Sequence, residues 1–471
     1  MNSVNLIIPE IFLSLSIMAL LMMGVFFKKK INLVYQSSLL VLLITFLLIV
    51  NNTFGENLYL FHDTYKIDLL SKVMKSLTII SAFFIIFSSH DYVKIIGINK
   101  IEYPILILSS VLGMIVMISA YDLMVFYVGL ELQSLSLYVL ASFNRDNKNS
   151  SEAGLKYFVL SALSSGLLLY GSSLIYGFTS STNFGIIALN LDIYNFGSIF
   201  GIVFIIVGLA FKISAVPFHM WAPDVYEGSP TSVTYFFSIV PKIAGLTVFI
   251  RFLYIPFINV IDQWQMIIIF ISIASMILGS VAAIGQNNIK RLIAYSSIGH
   301  MGFILAGLAT ATNNGIQNSI IYLIIYGIMN MGLFTCIFLL KRKNIFYENL
   351  TDLSGMSKNH PLLSLCMLIF LFSLAGIPPL AGFFAKFYIF MSVIEVKMYF
   401  LAITGLLTTV ISAFYYLRII KIIYFDEPKE KFELNNNYKL KITLFISSIL
   451  ILTYFMYPNL LIKLVADINI I

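Results

Sequence analysis

The feature that most limits how this chain can fold is a succession of apolar runs, each about 20 residues long, separated by short polar breaks. In helical form a run of that length spans the roughly 30 Å hydrocarbon core of a bilayer at about 1.5 Å per residue. The runs lie at about 4–27, 31–50, 69–89, 103–120, 122–142, 152–178, 195–219, 231–254, 264–285, 289–309, 315–340, 361–394, 398–424 and 440–457. They predict an all-α integral membrane protein of about fourteen transmembrane helices. Of the 471 residues 59% are hydrophobic and 11% charged, against roughly a quarter charged in soluble domains, so residues 1–471 read as a single polytopic membrane domain. The first run is too long for the apolar core of a signal peptide and reads as a first span.

Several function classes fall away at this stage. The net charge of +7 is dispersed through short loops and not gathered with aromatics on one face, so nucleic acid is not an expected partner. Cys336 and Cys366 sit in separate apolar runs, away from histidines at ligand spacing, and suggest neither a disulfide framework nor a metal or iron–sulfur site. No glycine-rich dinucleotide fingerprint or phosphate loop occurs. The longer hydrophilic segments, about 51–67, 341–360 and 425–439, are too short for soluble domains.

The cations set a topology. Loops after odd-numbered runs hold Lys28, Lys29, Lys30, Lys94, Lys100, Arg145, Lys148, Lys290, Arg291, Lys341, Arg342, Lys343, Lys358, Lys429, Lys431, Lys439 and Lys441. The opposite side has Lys66, Lys397 and Lys463, with Lys72, Lys75 and Arg251 near helix ends. By the positive-inside rule the first group faces the cytoplasm and both termini face outward.

Once loop charges are set aside, Glu131, Lys156, Lys212, Lys242, His300 and Lys386 remain inside spans. A charge at mid-bilayer costs from about 2.5 to more than 10 kcal/mol, so such residues normally face protein or water and mark ion paths. Each also has a plainer reading. Lys156 lies near its span's start and could snorkel to the interface. Glu131 and Lys242 could form buried structural pairs, and His300 could be a packing histidine. Prolines add a second signal: Pro217, Pro241 and Pro378/Pro379 fall within spans close to Lys212, Lys242 and Lys386. Each is expected to interrupt its helix and free backbone groups that only a hydrated cavity would tolerate.

The interruptions at Pro217 and Pro378/Pro379 fall in the seventh and twelfth runs. A five-span offset turns one helix over relative to the other, the sign of an inverted repeat of helices 4–8 and 9–13. It places Glu131 opposite His300. The expected divisions are three N-terminal helices in 1–102, a first five-helix repeat in 103–254, a second in 264–424, and a loop with the last helix in 425–471.

The stretch FKISAVPFHMWAPDVYEGSPTSVTYFFSIVPKIAG at 211–245 closely resembles the subunit N family of proton-pumping NADH:quinone oxidoreductases, the counterpart of mitochondrial subunit 2. So do KYFVLSALSSGLLLYGSSLIYG at 156–177, NNIKRLIAYSSIGHMGFILAGL at 287–308 and DLSGMSKNHPLLSLCMLIFLFSLAGIPPLAGFFAKF at 352–387. The resemblance covers essentially the whole chain. It implies an antiporter-like translocase subunit of complex I in which Glu131, Lys156, Lys212, Lys242, His300 and Lys386 form a polar proton path. It also implies that NADH, FMN, iron–sulfur clusters and quinone belong to partner subunits, with no cofactor on this chain, and that the neighbours are other membrane and antiporter-like subunits and the lipid bilayer. The implied location is a bacterial inner membrane, or alternatively the mitochondrial one. A cation/proton antiporter subunit and an inactive membrane scaffold are the competing functions.

Overall fold

In the computed structural model each apolar run, among the described residues, is built mainly of helix, as lipid requires of a backbone that must satisfy its own hydrogen bonds. The structure describes residues 3–26, 31–51, 57–192, 195–342, 345–428, 431–433 and 437–470; Lys28, Lys29, Lys30, Lys343 and Lys429 lie outside the described residues. Among the described residues eleven helices are long and apolar enough to cross a membrane, and Phe196–Lys212 and Pro361–Ala375 are shorter apolar helices. Polar residues start many of these helices: the side chains of Asp68, Asp122, Asn147, Asn288 and Thr312 each accept a backbone N–H in the first turn.

The chain divides into two compact units, one made of Met1–Ile213 with Gly228–Trp264 and the other of Ser214–Glu227 with Gln265–Asn469. In the first, Glu102–Ser119 and Leu123–Ala141 pack backbone to backbone. A methyl added at Gly113 would lie 2.5 Å from the Gln133 amide nitrogen, and one at Gly129 would lie 2.9 Å from the Gly113 carbonyl oxygen. Close approach through small residues is how helices gain dispersion energy in lipid, where burying apolar surface brings no solvent-driven gain. In the second unit residues 265–284 of the Ile261–Ile284 helix meet Ile289–Ala309 in the same way, with a Gly279 methyl 2.5 Å from the Gly299 nitrogen.

Two of the three proline sites interrupt their helices. The run at 195–219 ends as a helix at Lys212, and the next helix, Trp221–Gly228, starts beyond Pro217. The run at 361–394 divides into Pro361–Ala375 and Ala381–Glu395 on either side of Pro378/Pro379. Pro241 differs from expectation: Thr231–Tyr254 runs through it as one helix whose residues are all buried. A lone proline removes one N–H, and a helix packed on every side by protein can hold its course across that loss. A hairpin, Leu58–Leu60 paired with Tyr65–Ile67, precedes the Leu69–Ile95 helix.

Candidate functional site

The first unit holds Lys212 as the last residue of Phe196–Lys212. A helix C-terminus carries unpaired carbonyls and partial negative charge, which favours a cation there. The ammonium donates to Ser134 Oγ and Ser161 Oγ, both at 2.8 Å, and the Tyr138 hydroxyl donates to Ser161 Oγ at 2.6 Å. Lys212, Ser134 and Ser161 are buried. Glu131, Ser134 and Tyr138 share the Leu123–Ala141 helix at i, i+3 and i+7, which places them on one face. Glu131 therefore sits one turn from the hydroxyl that holds Lys212. No ion pair joins the two among the described residues, and the buried Glu131 Oε1 has no hydrogen-bond partner among them. On this helix Ser134, and not the Glu131 carboxylate, accepts a hydrogen bond from Lys212.

Lys242 is 2% exposed, eleven residues into Thr231–Tyr254, or about 16 Å along the helix. Lys156 is placed differently. It pairs with Glu152 at 2.7 Å, and the two side chains are 40% and 61% exposed. It stands on an outward face beside the exposed Leu155 and Val159, and does not join the buried set.

In the second unit Lys386 reaches back across the interruption in its own span. Its ammonium donates to the carbonyls of Ala375 at 2.9 Å and Leu374 at 3.2 Å, the last residues of Pro361–Ala375, and lies 5.3 Å from the centre of the Phe303 ring. Gly376 makes this approach possible. Its φ of +88° is a left-handed helix cap, and a methyl there would lie 3.0 Å from Lys386 Cδ. Gly382 N–H donates to Ser373 Oγ at 3.0 Å and ties the two half-helices together.

His300, 4% exposed, is held at both ring nitrogens by phenols: Nδ1 with Tyr322 at 2.8 Å and Nε2 with Tyr416 at 3.1 Å. Tyr416 also bonds Ser296, one turn before His300. A neutral imidazole in this setting donates through one nitrogen and accepts through the other, so it can pass a proton between two hydroxyls. Ile289, Ser296, Asn330, Leu374 and Tyr416 are among the residues that line one small cavity. Two of its lining residues also hold ionisable groups, Tyr416 holding His300 and Leu374 holding Lys386.

A family profile described as the transmembrane region of NADH:quinone oxidoreductase and Mrp antiporters matches residues 120–412. "NADH-quinone oxidoreductase subunit N" of Pelagibacter ubique is 65% identical over 471 residues, covering 100% of each chain. The chain belongs to the subunit N family. A chain in respiratory complex I from Thermus thermophilus has the same fold at TM-score 0.83 and 28% identity, covering 97% of this chain and 98% of that one. A chain of the Mrp complex from Dietzia sp. shares the fold at TM-score 0.87 and 20% identity, with 98% and 96% covered. This subunit N family member is thus a bacterial multi-pass membrane protein with the all-α fold of complex I and antiporter membrane subunits.

Sequence reasoning directed at charges missed the neutral half of these sites. Ser134, Ser161, Tyr138, Ser296, Tyr322 and Tyr416 hold the ionisable groups, and none is conspicuous alone. The i, i+3, i+7 spacing of Glu131, Ser134 and Tyr138 and the i, i+4 spacing of Ser296 and His300 were the available signals. It also treated Lys75 and Arg251 as residues of helix ends. Both are buried in ion pairs: Lys75 with Glu10 at 2.6 Å and Arg251 with Asp68 at 2.7 Å.

Proposed function

We propose that this chain is a proton-translocating membrane subunit of an NADH:quinone oxidoreductase, driven by quinone reduction in partner subunits that carry the NADH, FMN, iron–sulfur and quinone sites. The observation that carries the reading is that each unit holds a buried lysine at an interrupted span, on neutral oxygen acceptors, within a chain of this family. An ammonium on hydroxyls or carbonyls keeps its proton while the acceptors stay in place, and gives it up when they withdraw or another cation approaches. Moving one charge against 100 mV requires about 2.3 kcal/mol, within reach of one or two charge-assisted hydrogen bonds. In this reading Glu131 and Lys212 take up the proton, Lys242 and His300 relay it, and Lys386 passes it to an exit or a neighbouring subunit. Lys156 serves from the outward face of its helix.

The same proposal includes fourteen spans in which helices 4–8 and 9–13 form an inverted repeat, within the divisions 1–102, 103–254, 264–424 and 425–471. Support comes from the matching glycine contacts. Gly113 and Gly129 join the fourth and fifth runs, Gly279 and Gly299 join the ninth and tenth, and Glu131 and His300 lie two and one residues beyond Gly129 and Gly299. Both termini then face outward from a bacterial inner membrane. In the assembled complex, Lys242→Ala or Glu131→Ala is expected to abolish most NADH-driven proton pumping in vesicles. Undiminished pumping in both variants would sink the role. Sodium-dependent pH change by the chain's native assembly without NADH oxidation would instead favour a cation/proton antiporter.

A further inference from the structure

Two buried ion pairs lie in the first unit at the end that carries the hairpin, and they differ in what they can do. Arg251 donates to both carboxylate oxygens of Asp68, at 2.7 and 3.0 Å, and through Nε to the Ile118 carbonyl at 2.7 Å. Asp68 also caps the Leu69–Ile95 helix. A guanidinium does not give up its proton in a protein, so this pair is a fixed tie.

The second pair is built from groups that exchange protons. Lys75 Nζ donates to Glu10 Oε1 at 2.6 Å and to the Tyr65 hydroxyl at 3.0 Å, and that hydroxyl donates to Glu10 Oε1 at 2.9 Å. The three side chains close a ring between the first turn of Ile8–Phe26, the hairpin strand Tyr65–Ile67 and the second turn of Leu69–Ile95. All three residues are more than nine-tenths buried, and Glu10 Oε2 is buried without a hydrogen-bond partner among the described residues. Leu6, Ile7, Leu60 and Ile67 pack around Tyr65, with Leu58 and Val125 against them. Beside them the hairpin turns through three consecutive left-handed residues, Phe61, His62 and Asp63, all exposed. A buried ion pair of this kind contributes little stability beyond what two apolar side chains would give. Fold stability alone therefore does not account for it.

We propose that Glu10, Tyr65 and Lys75 form a second proton-exchange station, separate from the span lysines, at the hairpin end of the first unit. The geometry supplies a complete step. Lys75 ammonium gives a proton to the Tyr65 oxygen as Tyr65 gives its own to Glu10, leaving neutral lysine, neutral phenol and neutral carboxylic acid. Release of the Glu10 proton and uptake of another by Lys75 restores the starting charges, with one proton moved. Rotation of the carboxyl brings the protonated oxygen to the position of Oε2, which no described residue bonds and from which the proton can leave.

The inference rests on the pumping function proposed above, and its test separates the two. The assembled complex is reconstituted in vesicles, and proton uptake and quinone reduction are measured for Lys75→Arg, for Glu10→Leu combined with Lys75→Leu, and for Lys242→Ala. Lys75→Arg keeps the ion pair but cannot exchange a proton, and the double variant replaces the pair with apolar packing. Both are expected to assemble and to lose most of the proton gradient formed per quinone reduced. Parent-level pumping in either, with Lys242→Ala inactive, overturns the station alone; parent-level pumping in Lys242→Ala as well overturns the pumping function itself. Failure of both variants to assemble would assign the triad to assembly and likewise overturn the station.

Discussion

The two units solve the same problem, a lysine kept inside a membrane protein, with different chemistry. In the first unit Lys212 is held by side-chain hydroxyls from two other helices, with the Glu131 carboxylate one turn away from one of them. In the second, Lys386 is held by backbone carbonyls of its own interrupted span, beside an aromatic ring and with an imidazole in place of a carboxylate on the neighbouring helix. Side-chain acceptors can swing away, whereas carbonyls at a helix terminus move only if the half-helix moves. The first arrangement suits control by a nearby charge and the second suits control by the geometry of the interruption.

The largest effects should come from the carbonyl site. Lys386→Met removes the cation and is expected to abolish pumping in the assembled complex. Gly376→Ala should come close to it: the left-handed backbone costs a side-chain-bearing residue about 1–2 kcal/mol, and the added methyl meets Lys386 Cδ at 3.0 Å. If Gly376→Ala pumps normally, the approach of Lys386 to the helix end does not matter and the contrast fails.

Next comes the hydroxyl site. Ser134→Ala with Ser161→Ala removes both side-chain acceptors of Lys212, each charge-assisted bond contributing about 1.5–3 kcal/mol. Pumping should drop at least about tenfold, with either single variant retaining more than the pair. Equal pumping in the double variant and the parent would show that Lys212 does not depend on its hydroxyls.

A smaller change separates function from framework in the first unit. Arg251→Leu leaves Asp68 buried without its guanidinium and should destabilise the chain by about 3–5 kcal/mol, read as a lower thermal unfolding temperature of the assembled subunit. Burial pushes the Asp68 carboxyl up, but Arg251 and Lys66 more than reverse this and hold it down at about 2, against an ordinary value of 3.8. The carboxylate's stabilising contribution is therefore present above pH 3.8 and lost as pH falls toward 2. Acid titration of the parent should show that loss, and Arg251→Leu should shift it to higher pH. The smallest effect belongs to Lys156→Ala, since its ion pair with Glu152 is largely exposed. An i,i+4 pair of this sort contributes about 0.3–0.5 kcal/mol. A loss of pumping as deep as that of Lys386→Met would mean that Lys156 is as central to the path as the buried lysines despite its outward face.

Much of this architecture could be read from residue order. Apolar runs of bilayer length located the helices, because a chain in lipid has few other ways to satisfy its backbone. Rare charges within those runs located Lys212, Lys242, His300 and Lys386, all of which are buried. Pro217 and Pro378/Pro379 located the two interruptions, while Pro241 shows that the same residue can sit within an unbroken helix. Lys156, Lys75 and Arg251 show the limit of position along a span. Lys156 lies inside its helix yet faces outward, whereas Lys75 and Arg251, near their helix ends, are enclosed.

Sequence alone thus determined that this is a membrane chain, where its helices run and which charges need an explanation. Those follow from the cost of placing polar groups in hydrocarbon, a cost each segment incurs separately. Tertiary structure decided which oxygen holds which ammonium: serines for Lys212, helix-end carbonyls for Lys386, phenols for His300, and a carboxylate with a phenol for Lys75. Hydroxyls and carbonyls are present on almost every helix. Only the packing of distant segments selects the few that meet a charge.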